Sequence, residues 1–238
     1  MYHVITGRWG NRLFDEKSKE KVKYFREKVI EFYLRHGRYF PWREAKDPYV
    51  VLISELLLQK TTSKQVLNVF NEFFSTFPNI WRLAKADVKE IEGIIGVLGL
   101  RKRARFLKEL ASQIVNEFNG VIPKDRNKLL KLKGVGPYTA NAVLAFAYGE
   151  CVPVVDTNVA RVIRRYFGLQ EKKPAYADKV LWKLAEQIMP TERCREYNYG
   201  LLDLAALVCK PHSPSCTKCP LNKYCSYHNM YHRHKEEL

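Results

Sequence analysis

Leu132-Lys133-Gly134-Val135-Gly136-Pro137-Tyr138-Thr139 is the stretch on which the reading of this chain turns. A short helical pattern runs into a turn with two glycines. Pro137 then stands where the next helix begins, at the helical position where a missing N–H costs little. Gly134 and Gly136 let the backbone turn tightly and come close to another surface. Exposed N–H groups of the turn and of the helix start form a cup for an anion. Lys128, Lys131 and Lys133 stand alongside, so a DNA phosphate is the natural guest. A lone Gly-Val-Gly also suits any helix–helix turn; the lysines and the proline favour a helix-hairpin-helix.

Outward from this turn the pattern is helical almost everywhere. Residues 17–36 carry Val22, Phe25, Val29, Ile30, Phe32 and Tyr33 on one side, with Lys and Arg opposite. Helices are likewise expected over 50–58, 63–77, 102–118, 127–132, 138–148, 159–167, 177–188 and 196–208. Strand-like alternation is nearly absent, and the connections are short and marked by Gly or Pro. Fold class is therefore all-α. Forty-one Lys and Arg against 25 Asp and Glu give a net charge of +16, which implies a polyanionic partner, nucleic acid before an anionic membrane. No segment is apolar for long enough to span a bilayer.

Val154-Val155-Asp156-Thr157-Asn158-Val159 follows the hairpin. Asp156 is in place to cap the helix over 159–167, for which Asp is a preferred residue. The same carboxylate is a fixed negative charge, suited to stabilising a cationic transition state. At the other end, Cys209, Cys216, Cys219 and Cys225 form a C-x6-C-x2-C-x5-C run bracketed by prolines. So short a loop buries no core, and four thiolates closing round a [4Fe–4S] cluster or a zinc ion would hold it. One short pair flanked by two longer arms favours the cluster. Paired disulfides are the competing reading; with no secretory leader expected, it leaves Cys151 and Cys194 as free thiols.

Together, the hairpin, the Gly/Pro loop, the helix-capping Asp and the cysteine run resemble the endonuclease III superfamily of DNA glycosylases, over 40–225. That resemblance implies two helical domains flanking a DNA-binding cleft. One is a six-helix domain at 40–149 carrying the hairpin; the other joins 1–39 to 150–238 and holds the cluster. It also implies Asp156 as the catalytic carboxylate and the four terminal cysteines as ligands of a [4Fe–4S] cofactor. The lyase members carry Lys where this chain has Tyr138, and that amine forms a Schiff base with the sugar. A monofunctional glycosylase is expected instead, with Tyr138 against the extruded nucleotide.

Two branches are similar to this chain and also lack that lysine. Adenine glycosylases resemble it in Phe40-Pro41-Trp42-Arg43, Gly136-Pro137-Tyr138-Thr139, Ser54-Glu55 and Gln59; there the equivalent of Glu55 protonates adenine. Archaeal-type thymine-DNA glycosylases, acting on T or U opposite G, resemble it more closely in Asp47-Pro48-Tyr49, Glu55-Leu56-Leu57-Leu58, Val162-Ile163-Arg164-Arg165 and Cys194 to Leu201. The adenine branch has Gln where this chain has Tyr199, an aromatic wedge where it has Leu100, and often a large further domain expected to be absent here. Removal of T or U opposite G is therefore preferred, with adenine as the alternative.

DNA contacts are expected from Gln59 and Lys60, to the estranged guanine or its phosphate, and from Leu100, Arg101, Lys133, Gly134, Val135, Gly136 and Thr139. Arg101, Lys102, Arg103 and Arg105 crowd a helix start, unfavourable for the dipole and so suggestive of phosphate. Trp42, Trp81 and Trp182 are expected in the core, and Tyr231, His232, Arg233 and His234 in a basic tail near DNA. The expected partner is mismatched double-stranded DNA, with no membrane. The protein is expected as a monomer in a prokaryotic cytoplasm, associated with the nucleoid.

Overall fold

The computed structural model describes residues 15–230, and among them every regular element is helical. In chain order the α-helices are α1 (Glu16–His36), α2 (Pro41–Glu44), α3 (Pro48–Leu58), α4 (Ser63–Thr76), α5 (Ile80–Lys85) and α6 (Val88–Ile95). They continue with α7 (Arg101–Phe118), α8 (Arg126–Lys131), α9 (Pro137–Phe146), α10 (Thr157–Phe167), α11 (Lys179–Gln187) and α12 (Cys194–Leu207). The expected helices are present with their ends moved. The segment expected from 177 starts as α11 at Lys179, because Asp178 accepts the N–H of Leu181 and acts as its N-cap. Helices α2, α5 and α6 were not anticipated. Each is too short to show a period, and the legible signals were the caps, Asn79 accepting from Arg82 N–H and Asp87 from Lys89 N–H.

The chain divides into two compact units. The hairpin unit is Tyr39–Val154. Helix α3 is apolar on nearly all sides, with Val51, Leu52, Ile53, Leu56 and Leu57 buried, and it packs on α9, where every residue from Thr139 to Phe146 is buried. Such all-round apolarity suits a central helix. Helices α5 and α6 lie against α7.

The cysteine unit joins α1, as far as Arg38, to the chain from Val155 onward. Helix α12 packs on α1 at Gly200, where a Cβ would sit 2.5 Å from the Val29 carbonyl oxygen. At the end of α1 the buried carboxylate of Asp203 accepts the backbone N–H of Arg38 at 2.8 Å and its Nε at 2.7 Å. Phe25, Tyr166, Phe167 and Tyr197 fill the centre.

Trp42 is buried and stacks on Phe40, and half-buried Trp182 donates to the Ala175 carbonyl. Trp81 departs from the expectation: it is 47% exposed and lies over Gly120. Cys151 and Cys194, which the competing reading of paired disulfides in the terminal run would leave as free thiols, are each disulfide-bonded, whereas the four terminal cysteines are free. Tyr231, His232, Arg233 and His234 lie outside the described residues. No described helix is long and apolar enough to cross a membrane.

Candidate active site

The hairpin is seated by one face of α7. Gly134 has φ +70, and a Cβ there would fall 2.0 Å from Cζ of Phe106, so both conformation and packing demand glycine. Gly136 differs: its φ of −91 is ordinary, and a Cβ would meet nothing within 4 Å. Gln113 bridges the turn, accepting the Lys133 N–H at 3.0 Å and donating to the Lys131 carbonyl at 3.3 Å. The Lys133 ammonium pairs with Glu109. Phe106, Glu109 and Gln113 recur at helical spacing, which was the one sequence signal for their joint role. Val135 is buried and donates to the Leu132 carbonyl. The N–H groups of Gly134 and Gly136 have no protein acceptor among the described residues, and α9 starts without a side-chain cap.

Immediately after this turn, the half-buried Tyr138 hydroxyl donates to Oε2 of Glu55 at 2.9 Å. Glu55 is only 6% exposed, set in the apolar α3. Thr139 is also buried, and its Oγ1 accepts from Nε2 of Gln59 at 3.4 Å. Its side chain thus braces Gln59 from within. Lys60 is exposed and holds a left-handed backbone, φ 59. Arg101 and Lys102 are exposed as expected, but Arg103 turns inward, donating through Nη1 to the carbonyls of Leu56 at 2.6 Å and Gln59 at 2.9 Å. Burial lowers its pKa. In the loop before α7, Gly99 is left-handed at φ +71 and Leu100 is half-buried; Val97, 75% exposed, is its outermost apolar side chain.

In the cysteine unit Asp156 is the N-cap of α10. Oδ1 accepts the N–H groups of Asn158 at 2.9 Å and Val159 at 2.7 Å, and Oδ2 accepts Nδ2 of Asn158 at 2.9 Å. Arg161 extends this network, donating to Oδ1 of Asn158 at 3.0 Å and to the carbonyl of Cys209 at 2.9 Å. Two carboxylate oxygens offer more lone-pair sites than these three donors use. Asp156 is therefore fixed in orientation while capacity for a further partner remains.

Cys209, Cys216, Cys219 and Cys225 line one cavity, walled by Val162, Tyr166, Leu204, Leu221 and other residues. Between Cys209 and Cys225 only Leu221 is buried, so the loop has almost no core of its own. It is tied down by hydrogen bonds from Tyr24 to the Pro220 carbonyl, from Arg165 to the carbonyls of Lys210 and Pro211, and from Arg165 to Sγ of Cys209 at 3.5 Å. Burial, followed by the mutual proximity of the sulfurs, raises the Cys216 and Cys225 thiols and pushes Cys219 up to about 12.

Residues 53–187 match the model of the HhH-GPD superfamily of base excision DNA repair proteins. The thymine/uracil-DNA glycosylase of Methanothermobacter thermautotrophicus is 40% identical over 215 residues, 90% of this chain and 97% of that one. The thymine/uracil-DNA glycosylase of Pyrobaculum aerophilum is 44% identical, covering 88% of this chain and 94% of that protein. The solved structure of a thermostable thymine-DNA glycosylase superposes with a TM-score of 0.87 at 40% identity, covering 90% of this chain and 100% of the other. Matched in this way through its middle, and along nearly its whole length to such relatives, the chain belongs to the HhH-GPD superfamily of base excision DNA repair proteins.

Proposed function

We propose that this DNA glycosylase removes thymine or uracil opposite guanine from a mismatched duplex, by monofunctional hydrolysis of the N-glycosidic bond. The observation that carries this reading is residue 138: a tyrosine hydroxyl bonded to buried Glu55 stands where a lyase would need an amine. Base release leaves a cationic sugar as the C1′–N1 bond breaks and the pyrimidine departs as an anion. Asp156, held by its cap bonds, supplies the fixed negative charge opposite that cation. Water then bonds to C1′ and its proton passes to the departed pyrimidine anion, leaving an abasic site and the neutral free base. Tyr138 and Glu55 would act on the extruded nucleotide. Gly134 and Gly136 would offer N–H groups, and Lys131 and Lys133 charge, to a phosphate.

Four free thiols lining one cavity, in a loop without a core, fit a [4Fe–4S] cluster. Cys209, Cys216, Cys219 and Cys225 would hold it, and it would supply the loop's missing core. Iron analysis and visible absorption of anaerobically purified protein test this; a colourless zinc-loaded protein rejects it. A monomer in a prokaryotic cytoplasm, associated with the nucleoid, belongs to the same reading.

A second reading, adenine removal, draws on burial of Glu55 in an apolar helix. Labelled duplexes carrying G·T, G·U, A·G and A·8-oxoguanine, cleaved with alkali after incubation, separate the two. Scission at T and U opposite G is expected; scission confined to A rejects the proposal. Borohydride should trap no covalent adduct, and a strong trapped band would remove the monofunctional mechanism.

A further inference from the structure

We propose that Arg103 is a positioning residue for recognition of the base opposite the lesion, because it locks the Gln59–Lys60 turn to the helix start behind Leu100. The inference rests on the proposed function and deepens it. Arg103 lies in the first turn of α7, three residues after Leu100, and one guanidinium nitrogen donates to both Leu56 and Gln59 carbonyls. Those carbonyls belong to the end of α3 and to its C-cap residue. The turn's own backbone bond there, Gln59 N–H to Leu56, is long at 3.4 Å. Lys60 is left-handed at φ 59, a conformation that costs energy in a residue with a side chain. Thr61 closes the same turn locally, its N–H donating to the Leu58 carbonyl at 3.3 Å and its hydroxyl to the Leu57 carbonyl. Arg103 adds the tie from this turn to α7 that those local bonds do not supply.

A simple helix end needs no such device. A left-handed residue after the last turn, usually glycine, closes about a third to a half of helices without side-chain help, whereas a cation in the first turn of α7 opposes that helix's dipole. The chain accepts both costs at the place where two expected DNA-contacting segments meet. Gln59 is also fastened from the other side, by Thr139 beside Tyr138. The Leu100 loop, the Gln59–Lys60 turn and the start of α9 thus form one braced body. Arg103 thus couples any movement of a wedge at Leu100 to the turn proposed to face the opposite base.

Single-turnover release of uracil opposite guanine and opposite adenine tests this, in the wild type and in Arg103→Gln, Arg103→Lys, Gln59→Ala and Arg103→Gln/Gln59→Ala. Arg103→Gln should lower the guanine-over-adenine rate ratio about tenfold, Arg103→Lys should restore part of it, and Gln59→Ala should add nothing to Arg103→Gln. A mere helix cap would lower the melting temperature and slow both duplexes by the same factor; an unchanged ratio overturns the inference. If Arg103→Gln does not fold, the ratio in Arg103→Lys decides by the same criterion. A wild type that releases uracil from neither duplex would instead overturn the proposed function, and this inference with it.

Discussion

Helices α9 and α10, which present Tyr138 and Asp156, begin in opposite ways. Helix α9 opens at Gly136 and Pro137 with no side-chain cap, next to two backbone N–H groups without protein acceptors among the described residues. Helix α10 opens on a carboxylate that already takes the N–H groups of Asn158 and Val159. Both starts carry the positive end of a helix dipole. The first leaves it for an external anion, as a DNA phosphate would be. The second neutralises it internally and so turns a helix start into a fixed negative charge. One fold element thus yields either an anion site or a cation-stabilising site, according to whether the capping residue is glycine or aspartate.

The comparison breaks most sharply at Asp156. Asn is as good a cap as Asp, so Asp156→Asn should stay within about 0.5 kcal/mol of wild-type stability in denaturant titration. Its single-turnover base release should fall by about a hundredfold or more, because the charge is gone. Asp156→Ala should show the same kinetic loss and also unfold about 1 kcal/mol more easily. Full activity in Asp156→Asn would mean that this helix start is only a cap.

The two glycines of the other helix start sharpen the contrast. Gly134→Ala places a methyl against Phe106 in a left-handed backbone and should cost on the order of 1–3 kcal/mol, read as a lowered denaturation midpoint. Gly136→Ala has room and an ordinary backbone, so its stability should change by less than about 0.5 kcal/mol. Its duplex affinity should nevertheless fall, since only an approaching ligand makes a methyl unwelcome there. Equal affinity in Gly136→Ala and wild type would remove the anion site from α9.

Tyr138→Phe removes one hydrogen bond to the buried Glu55 carboxylate, a loss of about 1 kcal/mol or more. Base release should slow by about tenfold at unchanged duplex affinity; a change confined to affinity would contradict a role for this pair in the reaction. The smallest effect concerns charge. Lys131→Ala should lessen the slope of log affinity against log salt by about one. Glu109→Gln, which frees the Lys133 ammonium, should raise affinity modestly at low salt, measured by fluorescence anisotropy. A slope unmoved by Lys131→Ala would take that lysine off the phosphate contact.

Much of this was legible in the residue order. Helix periodicity, Pro137 at a helix start, Asp156 as a cap and the spacing of the four cysteines are local features, set by residues a few positions apart. So is the identity of residue 138, on which the absence of an amine rests. Where local signals were brief, as in α5 and α6, only a capping Asn or Asp marked them.

Other features required the folded chain. Tyr138 meets Glu55 across 83 positions of sequence, and Gly134 meets Phe106 only because α7 lies beneath the hairpin. Arg103 stands in a basic cluster that reads as four phosphate contacts, and packing alone turned it to the end of α3. Trp81 was left half in solvent for the same kind of reason. Sequence by itself determined the helices, their starts and the chemical type of each candidate group, because those depend on neighbouring backbone and on side-chain identity. Tertiary structure alone decided which groups share a hydrogen bond, because a partner distant in sequence is selected by how helices pack and by which polar atoms burial leaves in need of one.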